Sequence, residues 1–463
     1  MNRARLSSLS IFLSSLMAAV HLLGFAQVTT ALSAVFLIIF IVLEWPFLIW
    51  AARGLVTICC GLLCAFWFMG QTTPELIGAA IDRAAFLACF VVVLSFLRDA
   101  GETSKMVETC GRIIVNQTPG RRYLTLVLGG HLMGVLMNLG SLSLLSTMVY
   151  GSVTRGPQTV EQRVRDIRLK RMTLAILRGF SAVTLWAPTS VTIAIILSSS
   201  LNLHWGDLLP LGVPALVTYL TLGWLLDRMT YQRPPPRVVV AASEPWLRPF
   251  AALLGVVFLV PLSGAVVSHL FDLSLIGGLF LCIPVIGIGW VAMQNSDGGV
   301  GRGMALALHR ARTQTIPSLH GMRNELTIFA TSGFLAVILL PQIDVVWLSD
   351  NITRLGLGEG LVLVAGSWAI ILLAMSTVNP LVSASLVIET LVRLPGMDFD
   401  PAVIALMVTM TWCIVAGISP FSASVRLTAH NVGQGAVEVG LRWNLPFALC
   451  AIALLDVVLL MLA

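Results

Sequence analysis

LMNLGSLSLLSTMV at 136–149 and TVNPLVSASLVIET at 377–390 decide the fold. Each stretch breaks an apolar run at an asparagine, Asn138 or Asn379, with Gly or Pro close by. The loop before the first run, 98–122, holds Arg98, Lys105, Arg112, Arg121 and Arg122; the loop after it holds Arg155, Arg163, Arg165, Arg168, Lys170 and Arg171. Basic flanks mark the cytoplasmic face of a membrane segment, so 123–150 enters and leaves on that face as a re-entrant hairpin. Irregular backbone at membrane depth survives only where protein or a watery cavity satisfies it. Around 361–392 the balance reverses: Asp344, Asp350, Glu359, Asp398 and Asp400 outweigh Arg354 and Arg393, so this second hairpin enters from outside.

The rest of the chain is consistent with a bilayer. Of 463 residues, 57% are hydrophobic and 11% charged, against about 25% charged in soluble domains, which excludes a soluble fold. Apolar runs long enough to cross about 30 Å of hydrocarbon as helices recur throughout. Single passes are expected near 9–26, 31–50, 55–70, 83–97, 172–200, 207–227, 249–270, 274–293, 325–342, 402–430 and 443–462. The formal charge of +6 sits in short loops, such as 228–248 and 294–324, where orientation accounts for it without nucleic acid. The N-terminus falls in the cytoplasm and the C-terminus outside, and a bacterial inner membrane is the expected location. Of the eight cysteines only Cys110 lies in a polar loop, and Cys59, Cys60 and Cys64 have no His or carboxylate beside them, so neither a disulfide framework nor a metal site is expected.

After an extra N-terminal helix in 1–30, three passes, a hairpin and two passes occur twice with opposite orientation. The first repeat, 31–228, holds scaffold helices 31–97, hairpin 123–150 and helix 172–200; the second, 248–463, holds scaffold helices 249–342, hairpin 361–392 and helix 402–430. Between them, 229–247 contains three consecutive prolines and reads as a cytoplasmic linker. LWAPTSVTIAII (185–196) matches GISPFSASVRLT (417–428), which pairs Pro188 with Pro420 and Ser190 with Ser422. Proline at mid-membrane interrupts a helix and frees backbone groups. Paired interruptions in two inverted halves point to a transport site. The fold class is therefore an all-α polytopic membrane protein of about eleven transmembrane helices plus two re-entrant hairpins in two inverted repeats.

On these residues the chain resembles the ion transporter superfamily, which includes divalent anion:sodium symporters, arsenite and citrate carriers and certain sodium/proton antiporters. The resemblance implies an elevator-type transporter, a homodimer with mobile hairpin domains beside a fixed scaffold, and a site made by hairpin tips and unwound helices. Asn138 and Asn379 take the place of the family's tip asparagine. Ala187-Pro188-Thr189-Ser190 and Ser419-Pro420-Phe421-Ser422 take that of its unwound helices. The tips read Met137-Asn138-Leu139 and Val378-Asn379-Pro380, without the family's flanking Ser and Thr.

At the midplane a solute must exchange its water for protein groups: half-helix N-termini favour anions and freed carbonyls favour cations. The expected substrate ligands are Asn138, Ser141, Thr189, Ser190, Asn379, Ser422 and Arg426; the expected ion ligands are Asn138, Ser143, Asn379, Ser383 and Ser419, with Ser424 beside them. Arg426, four residues after Ser422, can clamp a carboxylate or oxyanion. Asn138 and Asn379 are expected to meet near the midplane. His430, His131, Glu44 and Asp456 are candidate proton carriers, and Arg178 reads as an anchor near the cytoplasmic boundary. The function expected is a secondary transporter of a small anion in the lipid bilayer, with a sodium ion or proton as coupling ion, no other cofactor and no enzymatic activity. The alternatives are a cation/proton antiporter, which needs a membrane carboxylate that the tip segments lack, and a membrane-embedded transferase, for which the basic loops lack a metal or nucleotide motif. A channel fits two inverted hairpins less well than alternating access does.

Overall fold

The structure, a computed structural model, describes residues 3–24, 28–154, 161–231 and 247–463. Residues 232–246 of the expected linker lie outside the described residues, as does Arg155 of the first basic loop. In chain order the helices are α1 (Arg3–Leu22), α2 (Val28–Glu44), α3 (Trp50–Phe68), α4 (Pro74–Glu102), α5 (Lys105–Val115), α6 (Pro119–Met137), α7 (Leu139–Thr154), α8 (Gln162–Ser181), α9 (Val191–Leu197), α10 (Trp205–Thr230), α11 (Leu247–Leu270), α12 (Leu275–Gln294), α13 (Val300–Arg310), α14 (Ile316–Ser318), α15 (Arg323–Leu339), α16 (Val345–Arg354), α17 (Glu359–Met375), α18 (Pro380–Arg393), α19 (Pro401–Ile418), α20 (Ala423–Asn431) and α21 (Leu445–Leu462).

The protein is an all-helical polytopic membrane protein: among the described residues, 10 helical stretches are long and apolar enough to cross a membrane. They correspond to ten of the eleven expected passes. The eleventh, 172–200, is divided between α8 and α9 around a break, so neither half spans alone. Several segments expected as loops are helical, among them 98–122 and 294–324; α8 likewise takes in Arg163 to Arg171, and α16 precedes the second hairpin. Within 98–122, α5 buries Val107, Cys110, Gly111, Ile114 and Val115 on one face, and Ser104 caps it by accepting from the Val107 amide at 3.4 Å. Within 294–324, α13 runs into a π-turn at Ala311–Thr315 before α14.

The chain forms two compact units, each drawing on both halves of the sequence. The first comprises Met1–Ala100, Val260–Asp350 and Leu381–Pro395; the second comprises Gly101–Leu259, Asn351–Pro380 and Gly396–Ala463. In the first unit α1 packs along α2 through serines. Ser14 Oγ donates to the Ser33 carbonyl at 2.8 Å, Ser33 Oγ returns a bond to the Ser14 carbonyl at 2.9 Å, and Ser10 Oγ reaches the Phe36 carbonyl at 2.7 Å. Small hydroxyls let two backbones approach where lipid offers no hydrophobic drive for association. Elsewhere in this unit Arg310 grips Asp99 with two hydrogen bonds of 3.0 and 2.8 Å.

The second unit is built around α19. Every residue from Val403 to Ile418 except Trp412 is buried, as expected of a helix apolar on all sides, and α8, α10, α17 and α21 pack against it. Hairpin α6–α7 packs onto α8. There Gly179 lets the two backbones touch, since a Cβ would strike the Val127 carbonyl.

Candidate functional site

Both expected tips are helix breaks. At the first, α6 ends at Met137 and α7 begins at Leu139, with Asn138 alone between them at φ 49°, ψ −130°. Positive φ outside glycine costs of order 1–3 kcal/mol and persists where the surroundings over-determine it. The Asn138 side chain is exposed, and no hydrogen bond engages it among the described residues. Its carbonyl does accept from the amide and hydroxyl of Ser141, at 3.0 and 2.7 Å, so Ser141 shapes the turn. Ser143 lies half-buried one turn into α7. The second tip is longer: α17 ends at Met375, and Ser376 to Asn379 precede α18. Asn379, like Asn138, immediately precedes the returning arm. The positive φ here belongs instead to Thr377, at 77°, where a β-branched side chain makes it a marked outlier. Ser383 is buried on α18, in the first unit.

The two broken helices share one local design. Pro188 and Pro420 lack the N–H that the carbonyls of Thr184 and Ala416 would otherwise accept. Beyond each proline a serine restarts the helix. Ser190 caps α9 by accepting from the Thr192 amide at 3.2 Å, and Ser422 caps α20 by accepting from the Val425 amide at 3.3 Å. The amides of Ser190 and Ser422 turn back to the carbonyls of Ala187 and Ser419, at 2.9 and 3.0 Å. Each break also gives one hydroxyl to a hairpin arm: Thr189 Oγ1 donates to the Val135 carbonyl at 2.7 Å, and Ser419 Oγ to the Ala374 carbonyl at 2.9 Å.

The freed carbonyls are mostly occupied. Trp205 Nε1 donates to the Trp186 carbonyl at 2.7 Å. In the second break the Ala416 carbonyl accepts from Ser424 Oγ. The Gly417 carbonyl accepts from Asn444 Nδ2 at 2.9 Å, and Gly440 packs so closely on the Ile418 carbonyl that a Cβ would clash with it. Thr189, Ser419 and Ser424, expected as ligands, thus spend their hydroxyls holding the breaks.

What stays open is different. α7 packs along α20. Asn431 Nδ2 donates to Ser146 Oγ at 2.9 Å, and further on Gly433 lies against the Tyr150 ring. The two contacts advance together, so the helices run parallel. Counting back from the Asn431–Ser146 bond at about 1.5 Å per residue, Ser422 lies about 13 Å down α20 and Asn138 about 12 Å down α7. Two helix N-termini therefore stand side by side at one level. One turn beyond, Arg426 is exposed, and no hydrogen bond or ion pair engages it among the described residues.

Arg178, expected as an anchor near the cytoplasmic boundary, is buried within the protein, 6% exposed. Nε donates to Asn444 Oδ1 at 2.9 Å, Nη1 donates to the Tyr123 hydroxyl at 2.9 Å, and the guanidinium sits 4.2 Å from the Phe447 ring centroid. Asn444 passes the link on to Gly417, so a buried relay joins α8, which leads into the first break, to the last turn of α19 before the second. His131 is held by both ring nitrogens in this arrangement. Its Nδ1 donates to the Gly179 carbonyl at 3.2 Å and Nε2 accepts from Trp186 Nε1 at 2.9 Å, which assigns a neutral tautomer. His430 is exposed. Asp456 Oδ2 accepts from Trp368 Nε1 at 3.1 Å. Glu44, in the first unit, is fully buried between Arg3 at 3.6 Å and Arg323 at 3.8 Å.

No protein-family model matches the chain, and no curated protein matches it. Among solved structures it is similar to the YdaH transporter of Alcanivorax borkumensis, whose crystal structure is described as revealing an unusual topology. The TM-score is 0.47 at 15% identity, over 88% of this chain and 98% of that one.

Proposed function

We propose that this chain is a secondary active transporter of a small anion, a carboxylate or oxyanion, driven by a sodium or proton gradient through alternating access. The observation that carries the reading is the pair of parallel N-termini, at Asn138 and Ser422, with Arg426, exposed and unpaired among the described residues, one turn further along α20. Each N-terminus presents roughly half a positive charge and a set of orphan amides. The Arg426 guanidinium, one turn along α20, offers a planar fork matched to a carboxylate or oxyanion. In this reading Asn138 contributes an amide able to donate and accept, and its strained backbone is held in place for binding. The matched prolines and serine caps of the two breaks support an inverted repeat, and hence two hairpins working from opposite faces.

The occupied carbonyls of the breaks bear on the alternative reading. A cation site made of freed carbonyls has few left to use, which favours an anion as the transported solute. The test is uptake by purified protein in proteoliposomes, screened with labelled mono- and dicarboxylates and oxyanions while sodium and pH gradients are varied independently. Gradient-dependent accumulation of such an anion is expected. Hydrolysis or group transfer without net movement would transfer the assignment to an enzyme.

A further inference from the structure

The basic end of α6 and α8 holds more charge than its surroundings balance. These helices pack together and start with Arg121 and Arg122 on one and Arg163, Arg165, Arg168, Lys170 and Arg171 on the other. Asp227 of α10 is saturated by Arg171, through bonds of 2.9 and 2.6 Å. Asp166 accepts from Gln162 at 2.7 Å, and Glu161 is exposed at the start of α8. Among the described residues Arg122 donates only to a carbonyl, that of Gln117, at 2.9 Å. Burial and the neighbouring charges of Arg168 and Arg171 push its guanidinium down to about 10. Nε of Arg165 and Nε of Arg168 are buried and have no hydrogen-bond partner among the described residues. Buried donors without acceptors and like charges pressed together both call for an anion.

The same surface is apolar beside its charges. Leu124 and Leu128 on α6, and Val164 and Ile167 on α8, are exposed. Guanidinium groups next to exposed aliphatic side chains match a phospholipid, whose phosphate takes the charges and whose acyl chains cover the leucines. We infer that the guanidinium groups of Arg122 and Arg168 together bind the phosphate of an anionic membrane lipid. Because α6 is the first arm of a hairpin and α8 leads into a break, the bound phosphate clamps these two elements at the end remote from the tip. This site is independent of what the protein transports.

The full-length protein in dodecylmaltoside, titrated with dioleoyl phosphatidylglycerol and followed by native mass spectrometry and thermal unfolding, tests the inference. Phosphatidylglycerol should bind and raise the unfolding temperature, whereas dioleoyl phosphatidylcholine and inorganic phosphate should do neither. At about 1 kcal/mol per basic residue at an anionic surface and 1.4 kcal/mol per decade, the double change Arg122→Gln/Arg168→Gln should weaken phosphatidylglycerol binding about thirtyfold. The single change Arg168→Gln, available if the double variant does not fold, should weaken it about fivefold. Arg312→Gln, at an exposed position of the first unit, should leave binding unchanged. The inference is overturned if phosphatidylcholine binds equally, if phosphate alone reproduces the stabilisation, or if the variants that remove Arg168 bind as the wild type does.

Discussion

Replacing Asn138 with glycine should separate stability from function. The residue sits at φ 49°, ψ −130°, where a side chain costs of order 1–3 kcal/mol. Its side-chain amide makes no hydrogen bond among the described residues, so the folded state loses no hydrogen bond when it is removed. Glycine accepts the backbone without strain but loses about 0.5–1 kcal/mol more in conformational entropy on folding. The net expectation for Asn138→Gly is a gain of about 1 kcal/mol. Asn138→Ala keeps the strain and should be about 1–2 kcal/mol less stable than the glycine variant. Reversible unfolding in mixed micelles measures both, and anion uptake in proteoliposomes measures function. Both variants should lose uptake, since each deletes the tip amide. A glycine variant more than about 1 kcal/mol less stable than wild type would refute the strain argument. Wild-type uptake by the same variant would show the amide to be a packing device.

The remaining predictions address other parts of the second unit. Thr377→Gly should also stabilise, by about 1–2 kcal/mol, because a β-branched residue there occupies φ 77°; a loss of stability in the same unfolding assay contradicts it. Asn444→Ala should destabilise by about 2–4 kcal/mol, because it strands both the Arg178 Nε and the Gly417 carbonyl. Hydrogen exchange should then rise at 416–424, and unchanged exchange there would show that the relay does not hold the break. Cys110 is fully buried and its thiol is pushed up to about 11 by burial. Since the thiolate is the reactive form, a soluble maleimide at pH 8 should leave Cys110 unmodified until the protein is unfolded.

The four interruptions were legible in the sequence because each has a local cause. A proline at 188 or 420 deletes a backbone donor, and an asparagine next to Gly or Pro punctuates an apolar run. The helical content of 98–122 and 294–324 was not, because charge counts hide amphipathic helices: α5 spends one face on Val107, Cys110 and Ile114 and shows charge on the other. Arg178 was illegible for a different reason. Its partners Tyr123 and Asn444 lie 55 and 266 residues away, and nothing local separates a buried arginine from a snorkelling one. The residue types of the candidate site could be read, but which of them remain available could not. Thr189 and Ser419 are consumed by carbonyls of helices far away in sequence, Val135 and Ala374, whereas Arg426 is left open.

Arg426 gives the most direct test of an anion site between the two N-termini. Uptake of the best anion from the proteoliposome screen should be compared for wild type, Arg426→Lys and Arg426→Ala, each checked for folding by size exclusion and unfolding temperature. Arg426→Ala, which should fold because the side chain is exposed and makes no ion pair among the described residues, is expected to lose gradient-driven uptake, and Arg426→Lys to keep a reduced rate with a higher KM. Uptake by well-folded Arg426→Ala at the wild-type rate and KM would contradict it.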